Sequence, residues 1–542
     1  MEFLPVIILL GVLGMVLIDF HVRRTKAFAQ NPGHAEAKNR LARVKSAKVA
    51  ITDAVARYNR GEKEKAIRIL EAWYASEPDI PDRDHLLIGY NLLGIYYAAA
   101  NRLEEAAPLL TRALTFYELP DNSLPSAANS AGDAHYQLAR YCLTRGDVQA
   151  KQDHYRRAAE WYNQAGQRGY AARAYADWHQ GNGDHLLAAE RFDEALNYPP
   201  DNADAGYRPI LLVKHALSLW QAGHFSASLA AARQIVSENA METVGSSGYR
   251  VCALAWGRLG LFAEAEGFLI EAGKRDVTIA DRGQTLGTRC VILHHQGRLR
   301  EIVARCEAHR NDAVTAAELF GAQVLTHYAN ALSATGRFDE SERAYRLAIE
   351  QAPITDKMTE STTLALLRCG LANVQLERGD YEDAVSLLRD AEEEAKRVHI
   401  LRFYIPALRL LAETVGESIT SDVTKTRAAG HLTPIAQAMN AFPNPTDAKR
   451  YYADVLSYLA RALLAAGDSG GALQILEQFS TGDALTPGML PHWHYWRGRC
   501  HEANNEPGAA RQEYLAAVES GDPESRYVAG SRERLSGLGI DA

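Results

Sequence analysis

The chain has 542 residues, 47% hydrophobic, 23% charged and 8% aromatic, with a formal net charge of -8. That much apolar content excludes a disordered chain. The acidic balance disfavours nucleic-acid binding, and six scattered cysteines with no C-x-x-C spacing argue against a zinc ribbon.

In chain order, the first element expected is a membrane anchor over 1–20. Residues Phe3 to Ile18 are apolar apart from Gly11, Gly14 and Pro5, near the lower length limit for crossing a bilayer. A cleaved signal peptide fits less well, because only Glu2 precedes the run and no A-x-A site follows it. Residues 21–48 form a basic juxtamembrane linker, with Arg23, Arg24, Lys26, Lys38, Arg40, Arg43, Lys45 and Lys48 against the single acid Glu36. The positive-inside rule then puts the rest of the chain on the cytoplasmic side of an inner membrane; the reversed, periplasmic orientation is the alternative.

From residue 49 a phrase recurs about every 37 residues. Its turn residue is Gly61, Asn101, Gly146, Gly183, Gly223, Gly260, Gly297, Gly336, Gly379, Gly467 and Asn505. Seven residues earlier stands a small residue (Ala54, Gly94, Ala139 and their counterparts), and five residues later usually another (Ala66, Ala106, Ala188). Bulky residues such as Leu110, Tyr155, Phe192, Tyr345 and Tyr514 follow four positions on. The spacing predicts two helices joined by a tight turn, because Gly and Asn tolerate the left-handed backbone after a helix and small residues let helices approach. Pro78, Pro200 and Pro353 are expected to stop the second helices. One such pair cannot bury its apolar face alone, so neighbours must stack.

The phrase resembles the tetratricopeptide repeat (TPR), W-x2-L-G-x2-Y then A-x3-F then P; the copy Leu93, Gly94, Tyr97, Asn101, Ala106, Leu110, Ala113 is the clearest. The resemblance implies an all-α, right-handed superhelical solenoid of about eleven helix-turn-helix repeats with a concave groove. An N-terminal array is expected over 49–395. A degenerate repeat or break follows over 396–447, where the step from Gly379 to Gly467 doubles and Asn444-Pro445 intervenes. C-terminal repeats and a capping helix near Glu524 to Leu535 complete the chain over 448–542.

Catalytic look-alikes fall in the wrong context. Gly467-Asp468-Ser469-Gly470-Gly471 matches G-x-S-x-G but occupies a repeat turn after a helix, not a strand-turn-helix elbow. His501-Glu502 lacks the second histidine of H-E-x-x-H, and Gly267 to Lys274 has one residue too many for a phosphate loop. The pairs His294-His295 and His492-x-His494 lack helical ligand spacing. No catalytic residue, cofactor or metal is therefore expected.

The expected working surface is the open face of the first helices, carrying Tyr136, Arg140, Arg173, Asp177, Arg250, Asn330, Asn373, Ser457, Arg461, Tyr495 and Arg499. Arginines recurring there in an acidic chain suit an acidic or extended peptide. The layout is similar to membrane-anchored bacterial TPR scaffolds. It implies a non-enzymatic adaptor that recruits a protein partner to the membrane. The alternatives are a periplasmic protein for envelope assembly or polysaccharide export, a regulatory subunit of a membrane enzyme, and self-assembly into a homo-oligomer.

Overall fold

The computed structural model describes residues 49–538, apart from 59, 77–82, 118–126, 201–205, 311–320, 356–359, 395–398 and 479–484. The expected anchor (1–20) and basic linker (21–48) lie outside the described residues. Among the described residues there is no strand, and no helix is long and apolar enough to cross a membrane.

The described helices form two compact units. The first contains hairpins one to four: α1 (49–58) with α2 (Lys63–Ser76), α3 (Arg83–Ala99) with α4 (Leu103–Tyr117), α5 (Ala127–Arg145) with α6 (Val148–Gln164), and α7 (Arg168–Gly181) with α8 (His185–Asn197). The boundary runs through the turn between α7 and α8 and again through α9 (Tyr207–Gln221). Hairpins five to eight are α9 with α10 (Phe225–Ser237), α11 (Met241–Arg258) with α12 (Phe262–Arg275), α13 (Ile279–Gln296) with α14 (Leu299–Arg310), and α15 (Ala322–Ala334) with α16 (Phe338–Thr355). Hairpins nine to twelve are α17 (Glu360–Arg378) with α18 (Tyr381–Glu394), α19 (Leu401–Val415) with α20 (Ser421–Asn440), α21 (Pro445–Ala465) with α22 (Ser469–Glu477), and α23 (Leu490–Ala503) with α24 (Pro507–Ser520). The final helix, α25, is Arg526–Gly537.

The turn chemistry follows from the phrase. All eleven turn residues have positive φ, from 61° at Asn101 and Asn505 to 91° at Gly379. Each lets the chain reverse while the last carbonyls of the first helix stay bonded: Asn101 N–H donates to Ala98 O at 3.1 Å and Arg102 N–H to Tyr97 O at 2.8 Å. The small residues sit where helices cross. A Cβ on Gly94 would lie 2.8 Å from the Leu110 side chain, and one on Gly370 2.4 Å from the Tyr345 ring. Ala54, Ala139, Ala216, Ala329 and Ala372 are fully buried at the equivalent place. The chain does not stop at Pro353, because α16 runs to Thr355. So close to a helix end a proline removes only one backbone bond.

The stretch 396–447 holds a tenth hairpin with altered punctuation. Glu417 takes the left-handed turn position at φ 56°. The second helix begins at Ser421, four residues after it, where the other eleven begin two residues after theirs. The insertion moves the small buried position to Thr424, whose hydroxyl lies 3.0 Å from that of Thr414. Helix α20 is otherwise poorly covered, burying only Thr424, Ala428 and Ile435.

The second unit closes on itself. Asp447 at the start of α21 accepts from Ser226 N–H at 2.8 Å and Ser226 Oγ at 3.1 Å, and Asn444 Nδ2 donates to Ser226 Oγ at 2.8 Å. Gly488 N–H donates to His295 O at 2.9 Å, and Arg300 pairs with Asp522 at 3.1 Å. The turn regions of hairpins five and seven thus meet the segments that lead into α21, α23 and α25.

Candidate partner-binding site

The expected open face corresponds to positions ten and six residues before each turn residue. In the first unit these positions converge. Tyr136 Oη on α5 donates to Asp177 Oδ2 on α7 at 2.7 Å. The Arg173 guanidinium on α7 stands over the Tyr136 ring at 4.9 Å and the Tyr207 ring at 5.8 Å, within cation–π range. Tyr170 meets Tyr207 edge-on at 5.8 Å. Arg140 bonds Gln137 on its own helix at 2.9 Å and is half-buried.

Beside them lies a desolvated polar group. Tyr162 Oη donates to Asp133 Oδ1 at 2.7 Å and Asn129 Nδ2 to Oδ2 at 3.4 Å. Burial pushes the Asp133 carboxyl up to about 7, against the opposing pull of the Tyr162 bond. Asn91 on α3 is 1% exposed, yet its amide oxygen and nitrogen both lack a hydrogen-bond partner. The Asn129 carbonyl oxygen is likewise unsatisfied. Such groups cost free energy unless something else completes them. Asn91 was not singled out from the sequence, although it stands ten residues before Asn101, in the same register as Tyr136 and Arg173.

In the second unit most of the same positions are satisfied by the chain itself. Arg250 is buried and bonded to Ser246, to Gln284 at 2.7 Å and to Asp276 at 3.4 Å. Asn330 accepts from Tyr345 Oη. The half-buried Asn373 keeps an unpartnered side-chain oxygen. Ser457 meets His492 Nε2 at 3.2 Å. Arg461 Nη2 binds Glu377 Oε1 at 2.8 Å, and Arg526 takes the other oxygen at 2.8 Å. Burial would raise the Glu377 pKa, but Arg461 and then Arg526 outweigh it and hold the carboxyl at about 2. Arg499 lies 3.3 Å from Tyr495 Oη, and Tyr495 packs against Trp496 and Tyr527. The carboxylate expected from an acidic partner at Arg461 is thus supplied by Glu377.

The catalytic look-alikes have structural places. Asp468 caps α22 by accepting from Gly471 N–H at 2.9 Å, and Ser469 Oγ donates to Asn504. His494 pairs with Glu513 at 2.8 Å. Among the described residues no three His, Cys, Asp or Glu side chains converge as a metal site.

Stacked helical hairpins with left-handed turns define an α-helical repeat protein. Residues 322–355, 365–390 and 458–525 each match the tetratricopeptide repeat. No curated protein matches it in sequence. Similar solved structures include an APC/C hetero-tetramer, Cut9-Hcn1, at 13% identity over 90% of this chain and 96% of that one, with TM-score 0.35. A Rap protein complexed with competence and sporulation factor is 11% identical over 80% and 97%, with TM-score 0.39. The human IFIT1 dimer with PPP-AAAA is 14% identical over 84% and 94%, with TM-score 0.36.

Proposed function

We propose that the protein is a non-enzymatic adaptor whose first unit holds an extended segment of a protein partner on the face running from Asn91 through Tyr136 and Arg173 to Tyr207. The observation that carries this reading is Asn91. Its unpartnered donor and acceptor are closed off from solvent in the free chain. Once binding uncovers them, they complement one peptide unit of an extended chain, since such a unit offers one C=O and one N–H. Arg173 and the surrounding tyrosines supply the residue types that dominate binding energy at interfaces. Both Arg173 and the acids Asp133 and Asp177 occupy this face, so it suits a peptide of mixed charge better than a purely acidic one.

Recruitment to a membrane through residues 1–20, with the repeats on the cytoplasmic side, is part of the proposal. It is supported by the apolar run Phe3 to Ile18 and the basic stretch after it. The test is affinity purification of the full-length chain from solubilised membranes. A co-purifying protein lost with Asn91→Ala and with Arg173→Ala, but retained with Arg499→Ala, supports the assignment. Equal capture by all three variants refutes it.

A further inference from the structure

We propose that the second unit opens and closes along the seam between hairpins five to seven and helices α21, α23 and α25, with its hairpins intact. Hairpins six to twelve of that unit pack apolar residues within and between neighbours. Leu286, Leu293, Ile302, Leu325, Leu332 and Leu371 belong to one continuous cluster, and Leu408, Leu411, Leu456, Leu459 and Ile475 to another. These contacts join neighbours along the chain and survive if the seam parts.

The seam is built differently. Its partners are more than 190 residues apart, and most lie in turns or at helix starts. The Ser226–Asp447–Asn444 bonds, the Gly488–His295 bond and the Arg300–Asp522 pair are polar. His224 stacks on Phe442 at 4.7 Å, and Gly223 is where Tyr451 presses in: a Cβ there would lie 2.4 Å from its ring.

Arg258 is the centre of the seam. Its Nη2 donates to Arg450 O at 3.1 Å, its Nη1 lies 3.2 Å from His295 Nδ1, and its guanidinium stands 4.7 Å over the Phe225 ring. One side chain therefore ties hairpins five, six, seven and eleven. Burial lowers its pKa to about 10, so water reaching it on opening restores solvation to a cation. Polar contacts of this kind exchange with water at small net cost, and the Arg300–Asp522 pair, whose arginine is exposed, weakens with salt.

The experiment is amide hydrogen exchange on the full-length chain in detergent, at 0.1 M and 1 M sodium chloride. The Ser226 and Gly488 amides, both donors across the seam, are expected to exchange about tenfold faster at high salt, while amides inside α13, α17 and α19 keep their rates. Asp447→Ala should reproduce that acceleration at low salt. Ser226→Ala, which keeps the amide donor and removes only the hydroxyl, should produce a smaller one. Seam amides that ignore both salt and Asp447→Ala overturn the proposal. So does equal acceleration of the seam and the helix interiors, since that means the hairpins unfold with it.

Discussion

Gly498→Ala is the sharpest test of how the hairpins pack. Gly498 on α23 faces Tyr514 on α24. An added methyl would lie 2.5 Å from Cε1 and 2.7 Å from Cδ1 of that ring. The ring has no room to retreat: Tyr514 is fully buried, its hydroxyl donates to Glu502 at 2.6 Å, and Glu502 is held in turn by Arg534 at 3.1 Å. Overpacking of this kind costs about 1–3 kcal/mol, while alanine recovers about 1 kcal/mol of helix propensity. The net expectation is a loss of up to about 2 kcal/mol. An array does not unfold in one step, so the suitable assay is amide exchange read separately for α23 and α24, where each 1.4 kcal/mol appears as a tenfold acceleration. Adding Tyr514→Leu should restore slow exchange, because alanine against leucine is the pairing at Ala372 with Leu388 and at Ala460 with Leu476, all buried. Unchanged or slower exchange in the single variant would show that propensity outweighs packing, and the argument from small residues would fail.

Glu417→Gly should stabilise the tenth hairpin by about 1 kcal/mol, because it relieves a left-handed backbone at φ 56°; a lowered urea midpoint for that hairpin contradicts this. Arg461→Ala should destabilise the second unit by about 2 kcal/mol, less than the usual loss for breaking a buried pair because Arg526 still holds Glu377. Unaltered melting would remove that ion cluster from the account. Acid should weaken the fold well before ordinary carboxylates titrate, since the opposing gain from Asp133, raised to about 7, is smaller than the combined loss from the depressed histidines. Burial depresses His135 to about 3 and His327 to about 4. The unfolded chain therefore binds protons from about pH 6.5 downward while the folded chain refuses them, and stability present above 6.5 declines toward pH 4. Glu377, held at about 2, keeps its contribution until the pH falls below the unfolded carboxylate value of about 4.3. Equal urea midpoints at pH 7.5 and 5 would contradict the histidine argument.

The array was legible in the sequence because its rule is local. A left-handed residue, a small residue seven before it and a helix start two after it all fall within one hairpin, and all eleven such turns have positive φ. The tenth hairpin was legible only as a degenerate repeat or break, because Glu417 stands where glycine is expected and two inserted residues move the buried position from the fifth to the seventh place, Thr424. The site was less legible for a different reason. Register places Arg461 on a face, but whether that face is open depends on Glu377, 84 residues earlier in the chain. Asn91 shares the register of Tyr136, yet only the structure shows that its amide is left without a partner.

The self-closure of the second unit has a consequence for length. An open array tolerates one hairpin more or fewer, because each copy touches only its neighbours. Here Ser226 must arrive at Asp447 and His295 at Gly488, and both separations are set by the intervening hairpins. Duplicating one copy between α15 and α19 would carry Asp447 a whole step beyond its mate and unregister every later cross-link together. This half of the protein is therefore a structure whose copy number is part of its design, and gene rearrangements that freely lengthen other helical arrays should be selected against within it.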